Sequence, residues 1–148
     1  MNWQMPAINR TYEDVVYANE NRGNLTENIG ARSHWTLNRI ANNLRYVQNR
    51  LNLLGVFTAP LQSKETWVMT DMPRESDINA FRLDLESLRA TGFTSPTTPS
   101  VPDLPWTHYL KLNNVERILL DITISIAGLE SATRWSGTFS SGQKRGLL

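Results

Sequence analysis

Three segments of this chain carry apolar residues at alternating steps of three and four. Leu37, Ile40, Leu44, Val47, Leu51 and Leu54 form the first set, and Ile78, Phe81, Leu85 and Leu88 the second. Leu112, Val115, Leu119, Ile122, Ile126 and Leu129 form the third. Such steps return side chains to one face of an α-helix, whereas a half-buried strand needs period two. The rhythm therefore predicts long amphipathic helices over about 33–54, 73–91 and 107–130. Laid over one another, LNRIANNLRYV, INAFRLDLESL and LNNVERILLDI share a frame in which an Asn follows the first seam residue: Asn38, Asn79 and Asn113. We read this as a degenerate threefold repeat of one helical unit. Three unrelated amphipathic helices would carry the same stripe.

The ends of the predicted helices carry stop and start signals. Ser33 is placed to cap the first helix, and Gly55 to close it in the left-handed conformation that Gly reaches without a Cβ clash. Asp71 and Pro73 open the second and Gly92 ends it, while Thr107 can cap the third. Thr11 and Asp14 have capping-box spacing and predict a short helix through Tyr12 to Ala18. Residues 20–30 read as a loop, and 56–70 as either a strand or an extended arm fixed by Trp67. Prolines at 96, 99, 102 and 105 make 93–106 a stiff extended strap. Trp135, Gly137 and Phe139 alternate with polar residues and predict a short strand at 134–140, followed by a basic end. The expected fold class is all-α: three long helices joined by extended Pro-rich straps, with a short C-terminal β-strand. Residues 1–32 would form an N-terminal arm with a short helix, 33–130 the repeat region, and 131–148 the strand and tail.

An apolar content of 40% in 148 residues is low for a self-sufficient globule. Burying a seam side chain contributes about 1.5–3 kcal/mol, against about 1–2 kcal/mol of backbone entropy per ordered residue. Narrow seams on such helices call for neighbours. The expectation is therefore that Leu37, Ile40, Leu44, Val47, Leu51, Ile78, Phe81, Leu85, Leu112, Val115, Leu119 and Ile122 meet further copies or partner proteins. Trp67, Trp106, Trp135 and Phe139 would be arm anchors that lock onto an adjoining protein. Arg39, Arg45 and Arg50 stand with no acid between residues 33 and 54, so an acidic partner surface is a further candidate contact. A net charge of +1 gives no global case for nucleic acid or an anionic membrane. No stretch is apolar and long enough to span a bilayer, and the first residues lack the pattern of a signal peptide.

Chemistry finds little footing in the pattern. Cysteine is absent, which excludes disulfides and thiolate catalysis. His34 beside Ser33 lacks a nucleophile elbow and an orienting acid, and neighbours in sequence do not face each other on a helix. Neither His34 nor His108 has a second His at ligand spacing, so no metal or cofactor is expected. Asp77, Asp84, Glu86, Glu116 and Asp121 sit off the seams among arginines and read as a solvated, charge-paired face. The recurrent asparagines are placed either to bond across helices and fix register, or to face solvent.

The segment ETWVMTDMPRESDINAFRLDLESLRA resembles one found in tail-region proteins of phages and prophages of Gram-positive bacteria. In those, a Trp, an acidic residue and a Pro lead into a helix with an apolar–Asn–x–apolar core. LNRIANNLRYVQNRLN resembles the preceding helix of that family, and PDLPWTHYLKLNNVERILLDI with RWSGTFSSG its last helix and terminal strand. The resemblance covers about residues 30–140. It implies a non-enzymatic virion component of the baseplate, tail tip or fibre-attachment region, made in the bacterial host cytoplasm. Its partners would be itself and other tail or baseplate proteins. A glycan-binding receptor protein of the tail, or a small helical nucleic-acid binder, is the alternative expectation.

Overall fold

The structure, a computed structural model, describes the backbone of residues 2–20 and 33–140, with side chains through residue 132. The elements in chain order are α1 (Tyr12–Glu20), α2 (His34–Leu53), α3 (Glu75–Arg89) and α4 (Tyr109–Ser140). All regular structure among the described residues is α-helical.

Helix α1 opens on a reciprocal cap. The Thr11 amide donates to Asp14 Oδ2 at 2.9 Å and the Asp14 amide to Thr11 Oγ1 at 3.3 Å. Helix α2 starts after Ser33, whose backbone is extended as a cap requires, although the hydroxyl makes no capping bond. At the other end Gly55 takes φ +84°. The Val56 amide reaches Leu51 O at 2.9 Å and the Gly55 amide Asn52 O at 3.0 Å, the paired bonds of a Schellman stop. Helix α3 begins two residues after Pro73, with the Arg74 amide donating to Asp77 Oδ2 at 2.8 Å. The start of α4 is held by His108 rather than Thr107, since the Leu110 amide donates to His108 Nδ1 at 3.2 Å.

Helices α2, α3 and α4 pack pairwise on one another and place their seams in a common core. Leu37, Ile40, Leu44, Val47 and Leu51 meet Ile78, Phe81, Leu85 and Leu88, with Leu112, Val115, Leu119, Ile122 and Ile126 closing the third side. Ile118 joins them from beside the expected α4 stripe. Leu54 is only partly buried, and Leu129 is exposed where the bundle ends. Trp67 and Trp106 enter the same core from the connections before α3 and α4. The seams thus satisfy one another inside one chain. This is a use of these residues that the expectation of contacts with further copies or partner proteins did not include.

The C-terminal strand is corrected. Helix α4 continues through residues 134–140 to Ser140. A lone strand needs a sheet edge, and none exists among the described residues. Helical continuation needs only the carbonyls of the preceding turn, which α4 provides. The side chains of Trp135 and Phe139, and all of 141–148, lie outside the described residues, as do residues 21–32 of the expected N-terminal arm, which hold most of the loop expected at 20–30.

Candidate functional site

The polar residues inside this bundle define its most specific feature. Glu116, on α4, is fully buried. Arg39 of α2 donates to it through Nε at 2.6 Å and through Nη2 at 3.0 Å, the two-point geometry of a guanidinium on a carboxylate. Arg10, from the extended segment before α1, adds a bond from Nη2 to Glu116 Oε2. Removing charges from water is costly unless they are paired and hydrogen-bonded, and here the carboxylate is held from both sides. Glu116 is therefore a fastening point between the N-terminal arm, α2 and α4. With no exposure to solvent, it has no access to a substrate.

Asparagines repeat a second kind of fastening. The Trp67 amide donates to Asn38 Oδ1 at 2.6 Å, and Asn38 Nδ2 donates to Trp67 O at 2.8 Å. Asn113 treats Arg10 in the same way, taking its amide and reaching its carbonyl, each at 3.0 Å. Asn43 holds Gln4 through bonds of 3.0 and 2.8 Å. A carboxamide offers one donor and one acceptor side by side, matching the N–H and C=O of one extended residue. Asn38 and Asn113 thus bind connecting segments rather than neighbouring helices. Asn79 departs from the pattern and accepts from Arg82 of its own helix at 3.0 Å.

Carboxylates complete the fastening. Asp84 accepts the Gln62 and Ser63 amides at 2.8 Å each, and Asp121 accepts from Thr98 Oγ1 at 2.7 Å and from Arg117 Nε at 3.0 Å. Asp84, Glu116 and Asp121 are buried, not solvated. Their positions explain it: Asp84 and Glu116 each lie three or four residues from seam residues, and Asp121 three from buried Ile118, so the buried stripe is wider than the seam. Of the five carboxylates expected on a solvated face, Glu86 alone is exposed, paired with Arg82 at 2.9 Å.

The basic face expected on α2 is consumed within the chain. Arg39 serves Glu116, Arg45 pairs with Glu65 at 3.1 Å and donates to Ser63 O, and Arg50 pairs with Glu130 of α4. Each thus has a carboxylate partner in this chain: Glu116 in the interior, exposed Glu65, and part-exposed Glu130. Trp67 and Trp106 are buried in the chain's own core. The Trp106 indole donates to Pro102 O at 2.9 Å, while Trp67 Nε1 has no hydrogen-bond partner among the described residues. The hydroxyl of Ser33 also lacks one there, and the His34 ring lies tilted against Trp35 with centroids 4.1 Å apart, so the adjacent pair forms no nucleophile–base contact.

Of the exposed apolar side chains among the described residues, four sit on the connection between α2 and α3, and others lie on the arm and on the helices, such as Met5, Leu53 and Ile124. Phe57 is 88% exposed, Val68 52%, Met69 59% and Met72 85%. The backbone that carries them is fixed by Asn38, Asp84 and Arg45, and by Gln48 Nε2 on Ala59 O at 2.9 Å. Next to Val68, Asp71 accepts from the Lys64 ammonium at 2.9 Å and from the Val68 amide at 2.8 Å. The Lys64 bond and then the Val68 bond hold its carboxyl below the ordinary carboxylate value. A groove of about 160 Å³ opens beside Trp106, between Ile78 and Pro105. No cluster of three or more His, Asp or Glu suited to a metal occurs among the described residues. No helix among them is long and apolar enough to cross a membrane. Comparison with family models, curated proteins and solved structures returned no match to this chain.

Proposed function

We propose that this chain is a non-enzymatic structural protein of a phage or prophage virion, seated in the baseplate, tail-tip or fibre-attachment region. The family resemblance of its helical units supplies the setting. The observation that carries an interaction role is the pinned α2–α3 connection. It presents Phe57, Val68, Met69 and Met72 to solvent on backbone already fixed by side chains of α2 and α3. Apolar side chains on a pre-ordered backbone bind without the cost of ordering a loop, and exposed apolar clusters mark contact surfaces. The contact surface of this reading is thus the outer side of the connection, while the helical seams hold the protomer together. Self-association and other tail proteins are its partners, and the virion is its location after synthesis in the host cytoplasm.

Co-purification with neighbouring tail proteins, or cryo-electron microscopy of the intact particle, tests this reading. A Val68→Asp/Met72→Asp chain should keep its helical circular dichroism and lose incorporation into particles. Undiminished incorporation would remove the connection from the interface. Retention on cell-wall glycans without tail association would move the chain to the receptor-binding class.

A further inference from the structure

We propose that the groove beside Ile78 and Trp106, together with Asn79, seats an extended segment of a partner protein that inserts an aromatic side chain. The proposal rests on the interaction reading above and deepens it, by naming a place of contact and the chemistry that fits it. Helices α2, α3 and α4 run in one direction. Arg39 and Arg50 of α2 meet Glu116 and Glu130 of α4 in the same order along both helices. The start of α3 lies against Trp106, just before α4. Its end, at Arg89, reaches the carbonyls of Thr98 and Pro99, and Thr98 is held in turn by Asp121 of α4. The first seam residues therefore gather at one end of the bundle, each followed by an Asn: Leu37–Asn38, Ile78–Asn79 and Leu112–Asn113.

Two of the three gaps between these helices are closed at that end by one device. Asn38 clamps the main chain of Trp67, whose ring lies 6.2 Å from that of Phe81, so an extended residue fills the α2–α3 gap. Asn113 clamps Arg10, whose guanidinium meets Glu116 beside Arg39 and fills the α4–α2 gap. The α3–α4 gap falls to Asn79, which accepts from Arg82 of its own helix. Thr98 closes this gap further along, between Arg89 and Asp121. Nearer the helix starts, the groove of about 160 Å³ opens between Pro73 and Ile78 on one side and Leu104, Pro105 and Trp106 on the other. An extended residue brings both a main-chain N–H and a C=O to the carboxamide, whereas Arg82 brings one N–H and keeps Glu86 at 2.9 Å when it lets go. The apolar walls suit an aromatic ring, as at Trp67. There Lys64 lies over the ring, 4.6 Å from its centroid, and Arg74 lines the groove as the corresponding cation. The groove is also continuous with the contact surface proposed above, because exposed Met72 directly precedes Pro73.

The probe is the synthetic peptide QSKETWVMTD, residues 62–71 of this sequence, since it is the segment that Asn38 seats and so carries the chemistry expected of the partner. Added to the full chain, it should bind saturably, with NMR shifts gathered on Ile78, the Asn79 side-chain amide and the Trp106 indole. Asn79→Ala should weaken binding on the order of tenfold, and Trp67→Ala in the peptide by at least as much. Arg74→Gln should weaken it about threefold, the loss expected for an exposed cation over a ring. Shifts gathered instead on Asn38 and Phe81 would show that the peptide only displaces the chain's own connection. That result, the absence of binding, or an affinity unchanged by Asn79→Ala overturns the proposal. The assay contains no tail protein, so its failure is distinguishable from a failure of the Val68→Asp/Met72→Asp test of particle incorporation.

Discussion

Replacing Glu116 by Gln should unfold this protein far more readily than any change on its surface. The carboxylate accepts from Arg39 at 2.6 and 3.0 Å and from Arg10, all in the interior. The amide keeps the shape and one acceptor oxygen, but turns its NH2 toward a guanidinium and removes the negative charge. Removing one member of a buried ionic group typically costs about 3–5 kcal/mol, since the partners stay buried without compensation. Whole-domain stabilities run about 5–15 kcal/mol, so this one change removes a large part of the total. At about 2–4 °C per kcal/mol for a chain of this size, Tm should fall by about 6–20 °C. Urea unfolding followed by circular dichroism at 222 nm, about the wavelength at which helical content is read, supplies ΔΔG from the shift in midpoint at constant slope. Replacing the whole group, as in Arg10→Met/Arg39→Met/Glu116→Leu, should recover most of the loss, because no uncompensated charge is left. A Glu116→Gln chain within about 1 kcal/mol of the parent would refute the claim that this carboxylate is buried and structurally required.

Three further outcomes follow from the same geometry. Asn38→Ala should destabilise by about 1–3 kcal/mol, leaving the Trp67 amide and carbonyl without their partner, whereas Asn79→Ala should stay within about 0.5 kcal/mol; urea midpoints of the two variants decide it. Gly55→Ala meets no atom within 4 Å, so its loss of about 1–2 kcal/mol should arise wholly from the φ of +84°, read as a lowered Tm with unchanged helical content. Asp71, whose carboxyl is held low by Lys64 and Val68, stabilises the 64–71 turn at pH above the ordinary carboxylate value of 3.8, and that stability fades as pH falls through the lowered one. NMR titration should find its midpoint under 3.8, and Asp71→Asn should abolish this acid dependence; a midpoint at or above 3.8 would contradict the turn's geometry.

The helices were legible because burial on a helix face imposes its period on the sequence: Leu37 to Leu51 and Leu112 to Ile126 are the core they describe. The polar interior was harder to see. Glu116 lies four residues after Leu112 and three before Leu119, and Asp84 three after Phe81 and four before Leu88. Those spacings place both on the buried face and could have flagged them, since an acid there requires a partner. The partners themselves come from far along the chain: Arg10 for Glu116, and the Gln62 and Ser63 amides for Asp84. Backbone donors carry no sequence signature. The same distance hid the pairing of Arg50 with Glu130, which made α2 look one-sidedly basic. Alternation around Trp135 misled for a different reason, because a few residues of period two weigh little against a helix already running.

Because Asn38, Asn43 and Asn113 address main-chain groups, the segments they hold are constrained in conformation more than in spelling. Substitution at Gln4, whose side chain is exposed, leaves both clamp bonds intact. The Asn itself has no such latitude: Asp brings a second acceptor up against the carbonyl, and Gln moves the amide by a methylene. Mutational tolerance across this chain should therefore be lopsided, with permissive connections laid over intolerant helix positions. Outward residues such as Met72 can diverge to suit a different neighbour while the scaffold beneath them stays the same. A family built on this plan would retarget its contacts by rewriting its connecting segments and leave its helices alone.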